Sequence, residues 1–352
     1  MEAVLKVLLE EFWDILAQSE ANVPRNYQFP KAEKLIKIAV GMRRTGKTGL
    51  LFQKIRELIA GGFKKERSLY INFEDDRIFP LDYKQMGQMV DAWYSLYPDN
   101  HSHLWYLFLD EVQNVDQWAL VLRRLSDTKN VQIYATGSSA KLLSKEIATS
   151  LRGRSISIEV FPFSYKEYLT AHKYPMPGKP FGKKSLDQQR HYLLNYFQEG
   201  GFPGVQGLAA HERIEILQNY VQTVILRDII ERHQVTNITL LRYLIQFMLK
   251  SAAAPFSVNK FFNDIKSQGY HVSRDTLYNY LSYVEDAYLV FLVPLFTESL
   301  RRAQTTTKKI YAIDPGLVQA NTMSFSDNRG RFFENLLYLD LRRQGKKIFY
   351  YL

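Results

Sequence analysis

The chain has 352 residues, 46% apolar and 23% charged, a composition that fits two or three folded domains and excludes a disordered chain. It contains no cysteine, which excludes disulfides, thiolate metal sites and cysteine nucleophiles and suits a reducing, cytoplasmic setting. Lys and Arg number 46 against 36 Asp and Glu, and the net charge of +10 favours polyanions such as nucleotides, nucleic acid or anionic membrane surfaces as readily as it serves solubility.

Residues 1–18 predict a helix, because Leu5, Leu8, Leu9, Phe12, Ile15 and Leu16 recur at helical spacing. The segment is amphipathic and acidic, unlike a secretory signal. Two prolines in "NVPRNYQFPKAE" break it. A short buried strand is expected over 35–40, then a helix over 48–60 that stops at Gly61-Gly62. Strand and helix go on alternating: "SLYINFED" (68–75), "DYKQMGQMVDAWYSLY", "LWYLFLDEV" (104–112), "QWALVLRRLSD", "VQIYATGSS", "AKLLSKEIATSL" and "SISIEVFPF". Continuous apolar strands separated by helices predict an α/β fold with a parallel sheet covered on both faces. No apolar run approaches the 18 residues of a membrane span, and no membrane partner is expected.

Past Pro162 the pattern turns mostly helical over 165–250, interrupted by "KYPMPGKPFGKK" and "EGGFPG". Helices follow over 239–250, in "SVNKFFNDIKSQG" and over 273–288, where Ser273 is a suitable N-cap and Leu277, Leu281, Val284 and Tyr288 line one face. "VFLVPLF" and "KKIYAID" then read as two strands around "TESLRRAQTTT". Helices followed by a β-hairpin describe a winged helix-turn-helix. Used on DNA, the 273–287 helix enters the major groove with Arg274, Tyr278, Asn279 and Ser282 outward, and a hairpin tip bearing Arg301, Arg302, Lys308 and Lys309 grips phosphates. Used for packing or protein contacts, the same module needs none of these, and Glu285 and Asp286 do not favour DNA.

The densest chemistry lies at "GMRRTGKTGL", residues 41–50, between the first strand of the alternating region and its helix. Gly41, Gly46, Lys47 and Thr48 fit G-x-x-x-x-G-K-[ST]. Backbone N–H groups of such a loop form an anion nest, and the following helix adds its positive dipole end. Lys47 is expected at the β and γ phosphates and Thr48 on Mg²⁺, with Gly41, Arg43, Arg44, Thr45, Gly46 and Gly49 around the nucleotide. Arg43 and Arg44 are unusual in such a loop, and salt bridges elsewhere or plain solvation serve them equally well.

Asp110 and Glu111 close the apolar run "LWYLFL", at the strand end where α/β sheets carry ligand groups. Asp110 is assigned to Mg²⁺ and Glu111 to the attacking water as general base. In "ATGSS", Thr136 or Ser138 suits the γ-phosphate or the water, while Ser138 or Ser139 suits a helix N-cap. In "LRGRS", Arg152 or Arg154, with Arg154 favoured, suits either an exposed turn or the nucleotide of a neighbouring subunit in a homo-oligomer.

Taken in order, "GMRRTGKT", "INFEDDR", "LFLDEVQN", "ATGSSAKLLS", "SLRGRSISIEVFPFSYKEYL", "GGFPG", "YLSYVEDAYLV", "KIYAIDPGL" and "GRFFENLLYLDLRRQG" resemble a prokaryotic AAA+ P-loop ATPase. The resemblance is closest to the family in which that core is fused to a winged helix and a restriction-endonuclease-like C-terminal domain. It implies ATP binding and hydrolysis, with the Arg of "GR" as a trans finger; no N-K-x-D follows the core to suit GTP. It also implies an N-terminal helix (1–25), an ATPase core (26–164), a helical lid (165–236), a winged helix-turn-helix (237–313) and an incomplete α/β start of the nuclease-like domain (314–352). Glu334 matches that domain's first-helix Glu, but the later Asp and Glu-x-Lys are missing before the sequence stops at "KIFYYL". Nuclease activity is therefore not expected, and Glu334 is read as a helix surface acid. The expected function is an ATP-driven switch or motor on DNA or a partner protein. The alternatives are a nucleotide-gated binding module with little turnover and a small-molecule P-loop kinase.

Overall fold

The computed structural model describes residues 2–19, 23–138, 149–176, 178, 182–299, 307–322 and 329–351. Two compact units emerge, Met1–Gly41 with Gly46–Val160 and Met42–Thr45 with Phe161–Leu352.

In the first unit, β1 (Ile36–Val40), β2 (Ser68–Asn72), β3 (Trp105–Asp110), β4 (Val131–Gly137) and β5 (Ser155–Glu159) form one sheet in the order β2-β3-β4-β1-β5. Every pairing is parallel, as the apolar runs predict. The helices between them are α1 (Glu2–Gln18), α2 (Lys47–Ala60), α3 (Tyr83–Leu96) and α4 (Trp118–Thr128). Side chains alternate across the pleat. On one face Phe108 and Tyr134 pack with Leu51, Phe52 and Ile55 of α2 and with Phe12 and Leu16 of α1. On the other, Trp105 meets Trp93 of α3, ring centroids 4.2 Å apart. The N-terminal helix, expected as a segment of its own over 1–25, is thus part of this core.

Strand ends differ from expectation for local reasons. The Asn72 side-chain oxygen accepts from the Glu74 N–H at 3.0 Å, an Asx turn that ends β2 before residue 75. Glu111 adopts φ 53°, ψ 49°, which no strand continues, so β3 ends at Asp110. The helix expected from "AKLLSKEIATSL" lies largely outside the described residues.

The second unit is mostly helical at first, with α5 (Tyr165–Ala171), α6 (Lys183–Glu199) and α7 (Ala210–Thr223). A π-helical segment, Val224–Ile230, and one further turn, Glu231–His233, extend α7. Then come α8 (Ile238–Lys250), β6 (Pro255–Phe256), α9 (Val258–Ser267), α10 (Arg274–Asp286), β7 (Val290–Val293) and β8 (Lys308–Ala312). The three strands form an antiparallel sheet in the order β6-β8-β7. Pro294 has no N–H for the ladder, and β7 stops before it. The chain continues through α11 (Pro315–Asn321) and α12 (Arg329–Arg343). Asn335 of α12 reproduces a strand's pairing on β8: its side chain accepts from the Ala312 N–H at 2.8 Å and donates to the Ala312 carbonyl at 2.9 Å.

"EGGFPG" and "AIDPGL" meet in this unit. A Cβ on Gly201 would stand 2.3 Å from the Phe163 carbonyl oxygen, and one on Gly316 2.4 Å from that of Glu199. Only glycine permits backbones to approach so closely. Asp314 occupies the junction, accepting from Gly201 N–H at 2.6 Å and from Leu317 N–H at 2.9 Å. Burial pushes its carboxyl up to about 6 from 3.8, against those N–H groups and the Arg343 charge, which favour the ionised form. A folded carboxyl that keeps its proton to higher pH than the unfolded one adds stability that is complete below its unfolded pKa and is lost as pH rises through its folded pKa. Melting temperatures of wild type and Asp314→Asn, measured across the acid range at fixed ionic strength, test this. The difference is expected to move in the variant's favour up to about pH 7, by the equivalent of about 3 kcal/mol, and to be flat above.

Candidate active site

The turn from Gly41 to Gly46 joins the carboxyl end of β1 to the first residue of α2. Gly46 takes φ 92°, ψ 29°, a left-handed conformation that strains any residue with a Cβ. The Thr45 hydroxyl donates to the Met42 carbonyl at 3.0 Å and closes the turn locally. The first turn of α2 has no acidic residue, and no side chain caps it, so its N–H groups and dipole present positive potential. Gly49 sits there with open space where a Cβ would be.

Lys47 is only 3% exposed. Its ammonium donates to the Gly41 carbonyl at 3.2 Å and pairs with Glu111 Oε1 at 3.3 Å. A buried ammonium needs such partners, because desolvating it alone costs several kcal/mol. The Thr48 hydroxyl bonds the Asp110 carboxylate, which is itself 2% exposed.

Asp110 collects two further donors. The Tyr70 hydroxyl donates to Oδ2 at 2.9 Å, and the Thr136 hydroxyl donates to Oδ1. Burial and the Glu111 charge push the Asp110 carboxyl up, while the bonds from Thr136, Thr48 and Tyr70 oppose the shift. Burial and the Asp110 charge keep the Tyr70 phenol protonated, as a donor. Thr136 Oγ1 also accepts from the Glu111 N–H at 2.9 Å. One hydroxyl at the end of β4 therefore fixes both acids at the end of β3.

Glu111 Oε2 accepts from Gln113 Nε2 at 2.6 Å, and the same nitrogen lies 3.2 Å from Ser138 Oγ. The Gln113 carbonyl oxygen is buried and has no hydrogen-bond partner among the described residues. Gln113 and Tyr70 are not singled out by the sequence, and their signal is placement: one lies two residues past Glu111, the other in the middle of β2, two residues before the Asn72 that pairs with Asp110.

The arginines go to other partners. Within the second unit, Arg43 Nε donates to Asp228 Oδ2 at 3.0 Å and Oδ1 at 3.3 Å, and Arg232 reaches Oδ1 at 3.4 Å. Asp228 is buried in the π-helical segment. Arg44 is exposed, with φ 68°. Arg154 pairs with Asp127 at 2.8 Å. Ile36 pairs with Ser155 and Val40 with Glu159, so Arg154 lies where the strands begin and the phosphate loop where they end. About 16 Å separates those edges, beyond what the arginine spans to its own chain's loop.

Of the residues expected to face DNA, Arg274, Tyr278 and Asn279 are exposed on α10. Ser282 bonds Asp286 Oδ2 at 3.4 Å. Arg301 and Arg302 lie outside the described residues. Lys308 and Lys309 stand in β8 itself, not at a hairpin tip, because the ladder with β7 already runs from Lys309. The Lys309 ammonium pairs with Glu334, whose carboxylate also accepts from the Tyr311 hydroxyl at 2.6 Å. Glu334 is thus a partner of β8 and not a simple surface acid. Glu285 points inward and accepts from the Leu292 N–H at 2.8 Å. Among the described residues no helix is long and apolar enough to cross a membrane.

The model of the AAA domain matches residues 33–169, and a domain of unknown function (DUF8612) matches residues 190–328. The uncharacterized protein MJ1544 of Methanocaldococcus jannaschii is 36% identical over 345 residues, 97% of this chain and 74% of its own length. An uncharacterized protein of Haemophilus influenzae is 28% identical over 323 residues, 90% of this chain and 77% of that one. Among solved structures, the Walker-type ATPase PABY2304 of Pyrococcus abyssi superposes with a TM-score of 0.54 at 12% identity, covering 86% of this chain and 98% of that one. That likeness shows a shared P-loop NTPase fold.

Thr136→Val keeps the shape and removes the hydroxyl. It removes the donor to Asp110 Oδ1 and the acceptor for the Glu111 N–H in a buried site, and a loss of about 2–4 kcal/mol is expected in denaturant unfolding. Tyr70→Phe removes one donor and should cost about 1–2 kcal/mol.

Proposed function

The chain belongs to the family of Methanocaldococcus jannaschii MJ1544, and from that premise, with its AAA domain over residues 33–169, we propose that it binds ATP with Mg²⁺ and hydrolyses it to drive a conformational switch or motor. One observation carries the proposal: Lys47 and Thr48, opening α2, meet Glu111 and Asp110, closing β3. The Thr48 hydroxyl and the Asp110 carboxylate are an oxygen-only pair, the kind of donor Mg²⁺ takes beside phosphate oxygens. The ion, when bound, neutralises phosphate charge.

The loop N–H groups and the α2 dipole hold the phosphates, and the Lys47 ammonium transfers from Glu111 to the phosphate tail. The freed Glu111 carboxylate accepts a proton from the attacking water. The water oxygen bonds to the γ-phosphorus, the bond to the bridging oxygen breaks with its electron pair on ADP, and the second proton stays with the phosphate. Thr136 and Ser138 provide the polar end of β4 beside the acids. Arg154, at the far sheet edge, suits a neighbouring subunit's nucleotide in a homo-oligomer.

Contacts within the second unit support the switch. Arg43 holds Asp228 in the π-helical segment, and a few residues on His233 stacks on Tyr283 of α10, centroids 3.7 Å apart. The order of α8, β6, α9, α10, β7 and β8 suits a winged helix, whose exposed α10 residues Arg274, Tyr278 and Asn279 offer a DNA-facing surface.

Nucleotide affinity and steady-state turnover test the chemistry. Lys47→Ala is expected to lose ATP affinity by more than about tenfold. Glu111→Gln should keep affinity within about threefold while turnover falls about 10²–10⁴-fold. Equal turnover in Glu111→Gln and wild type removes Glu111 from the mechanism. For DNA, affinity is expected to fall steeply as salt rises, and Arg274→Ala to flatten that dependence by about one charge. A titration insensitive to salt leaves the protein-partner reading.

A further inference from the structure

We propose that Gln113 is a positioning residue for Glu111: it sets the direction of the general base by tying its carboxylate to Ser138 at the end of β4. The inference rests on the reading of Glu111 as the base that activates water.

Gln113 lies in the short turn Val112–Asn114 that follows β3, half-buried beside the acids. A carboxylate only accepts hydrogen bonds, so the group 2.6 Å from Glu111 Oε2 must be the amide NH₂ and not the carbonyl. The same nitrogen lies 3.2 Å from Ser138 Oγ. Its two hydrogens thus serve two strand ends, and Glu111 is bracketed by Lys47 on Oε1 and Gln113 on Oε2. When Lys47 turns to phosphate, the bond from Gln113 still holds the carboxylate. The left-handed backbone at Glu111 raises the need for it, because this conformation lifts the side chain out of the strand's pleat.

The other half of the amide argues against a purely structural role. The Gln113 carbonyl oxygen is buried without a partner among the described residues. A residue kept for packing does not carry an unsatisfied buried acceptor when a leucine or methionine fills similar space. Here the amide's donors are spent on the base and on Ser138, and its acceptor is left over among the described residues.

Steady-state ATP hydrolysis and nucleotide affinity of the full chain test the proposal in Gln113→Ala, Gln113→Glu, Glu111→Gln and Gln113→Ala combined with Glu111→Gln. Gln113→Ala is expected to lower kcat about 10- to 100-fold with KM and ATP affinity within about threefold. Gln113→Glu, equal in volume but, when ionised, unable to donate and repelled by the Glu111 carboxylate, should lose at least as much, and it carries the test if the alanine variant does not fold. In the Glu111→Gln background the alanine substitution should change turnover less than about twofold, because Gln113 acts through the missing carboxylate. Wild-type kcat in both Gln113 variants, with Glu111→Gln inactive, overturns the inference and leaves the ATPase reading standing. Losses that multiply fully in the double variant also overturn it, since Gln113 then acts independently of Glu111. Wild-type turnover no higher than that of Glu111→Gln overturns the reading of Glu111, and the inference with it.

Discussion

The Lys47 ammonium is buried at the start of a helix whose dipole is itself positive, and the site is organised around that constraint. A cation placed there is destabilised by desolvation and by the helix N-terminus together. Glu111 and the Gly41 carbonyl offset this within the chain. A phosphate tail offsets it better, since it brings more negative charge to the same N–H groups. In the proposed function, affinity for polyphosphate and release of Glu111 are two sides of one ion-pair exchange.

That exchange serves chemistry only if the acids keep their places, and sheet topology supplies this. A parallel sheet gathers the carboxyl ends of β1, β3 and β4 on one edge, so residues far apart in sequence meet as neighbours. The Thr136 hydroxyl has one proton to give and lone pairs to accept with, and it uses both kinds: Asp110 receives, the Glu111 N–H donates. Valine in its place would fit the volume and fail the chemistry. Asp110, buried and bonded by three hydroxyl groups, is held by geometry against a desolvation that favours its neutral form.

How much of this the sequence discloses depends on whether the cause is local. The five parallel strands follow from continuous apolar runs, and the phosphate loop from its glycines, Lys47 and Thr48. Asp110 and Glu111 are visible because a strand that ends in two acids is unusual. Tyr70 and Gln113 are not, because their roles come from the register of β2 on β3 and from a turn whose direction is set by Glu111's backbone. Lys308 and Lys309 open a stretch that reads as strand, but where the hairpin tip ends and the ladder begins is set by the pairing of Val293 with Lys309, which places both lysines on β8. The α1 helix reads as a separate segment until Phe12 and Leu16 are found against Phe108 and Tyr134.

"EGGFPG" and "AIDPGL" show the other limit, in which residues carry a signal whose meaning needs the partner segment. Each glycine alone suggests only a turn. Gly200 and Gly316 lack the Cβ atoms that would keep 199–201 from 314–316, Gly201 lacks the one that would meet Phe163, and so Asp314 can cap α11 while it accepts from Gly201. The cost is a carboxylate buried where ionisation is unfavourable. A neutral cap would avoid that cost. Asparagine, however, turns an N–H toward one of the N–H groups that Asp314 accepts from, so it exchanges a desolvation penalty for a lost hydrogen bond. Aspartate is the side chain whose two oxygens both accept at this length, and the junction keeps it for that reason.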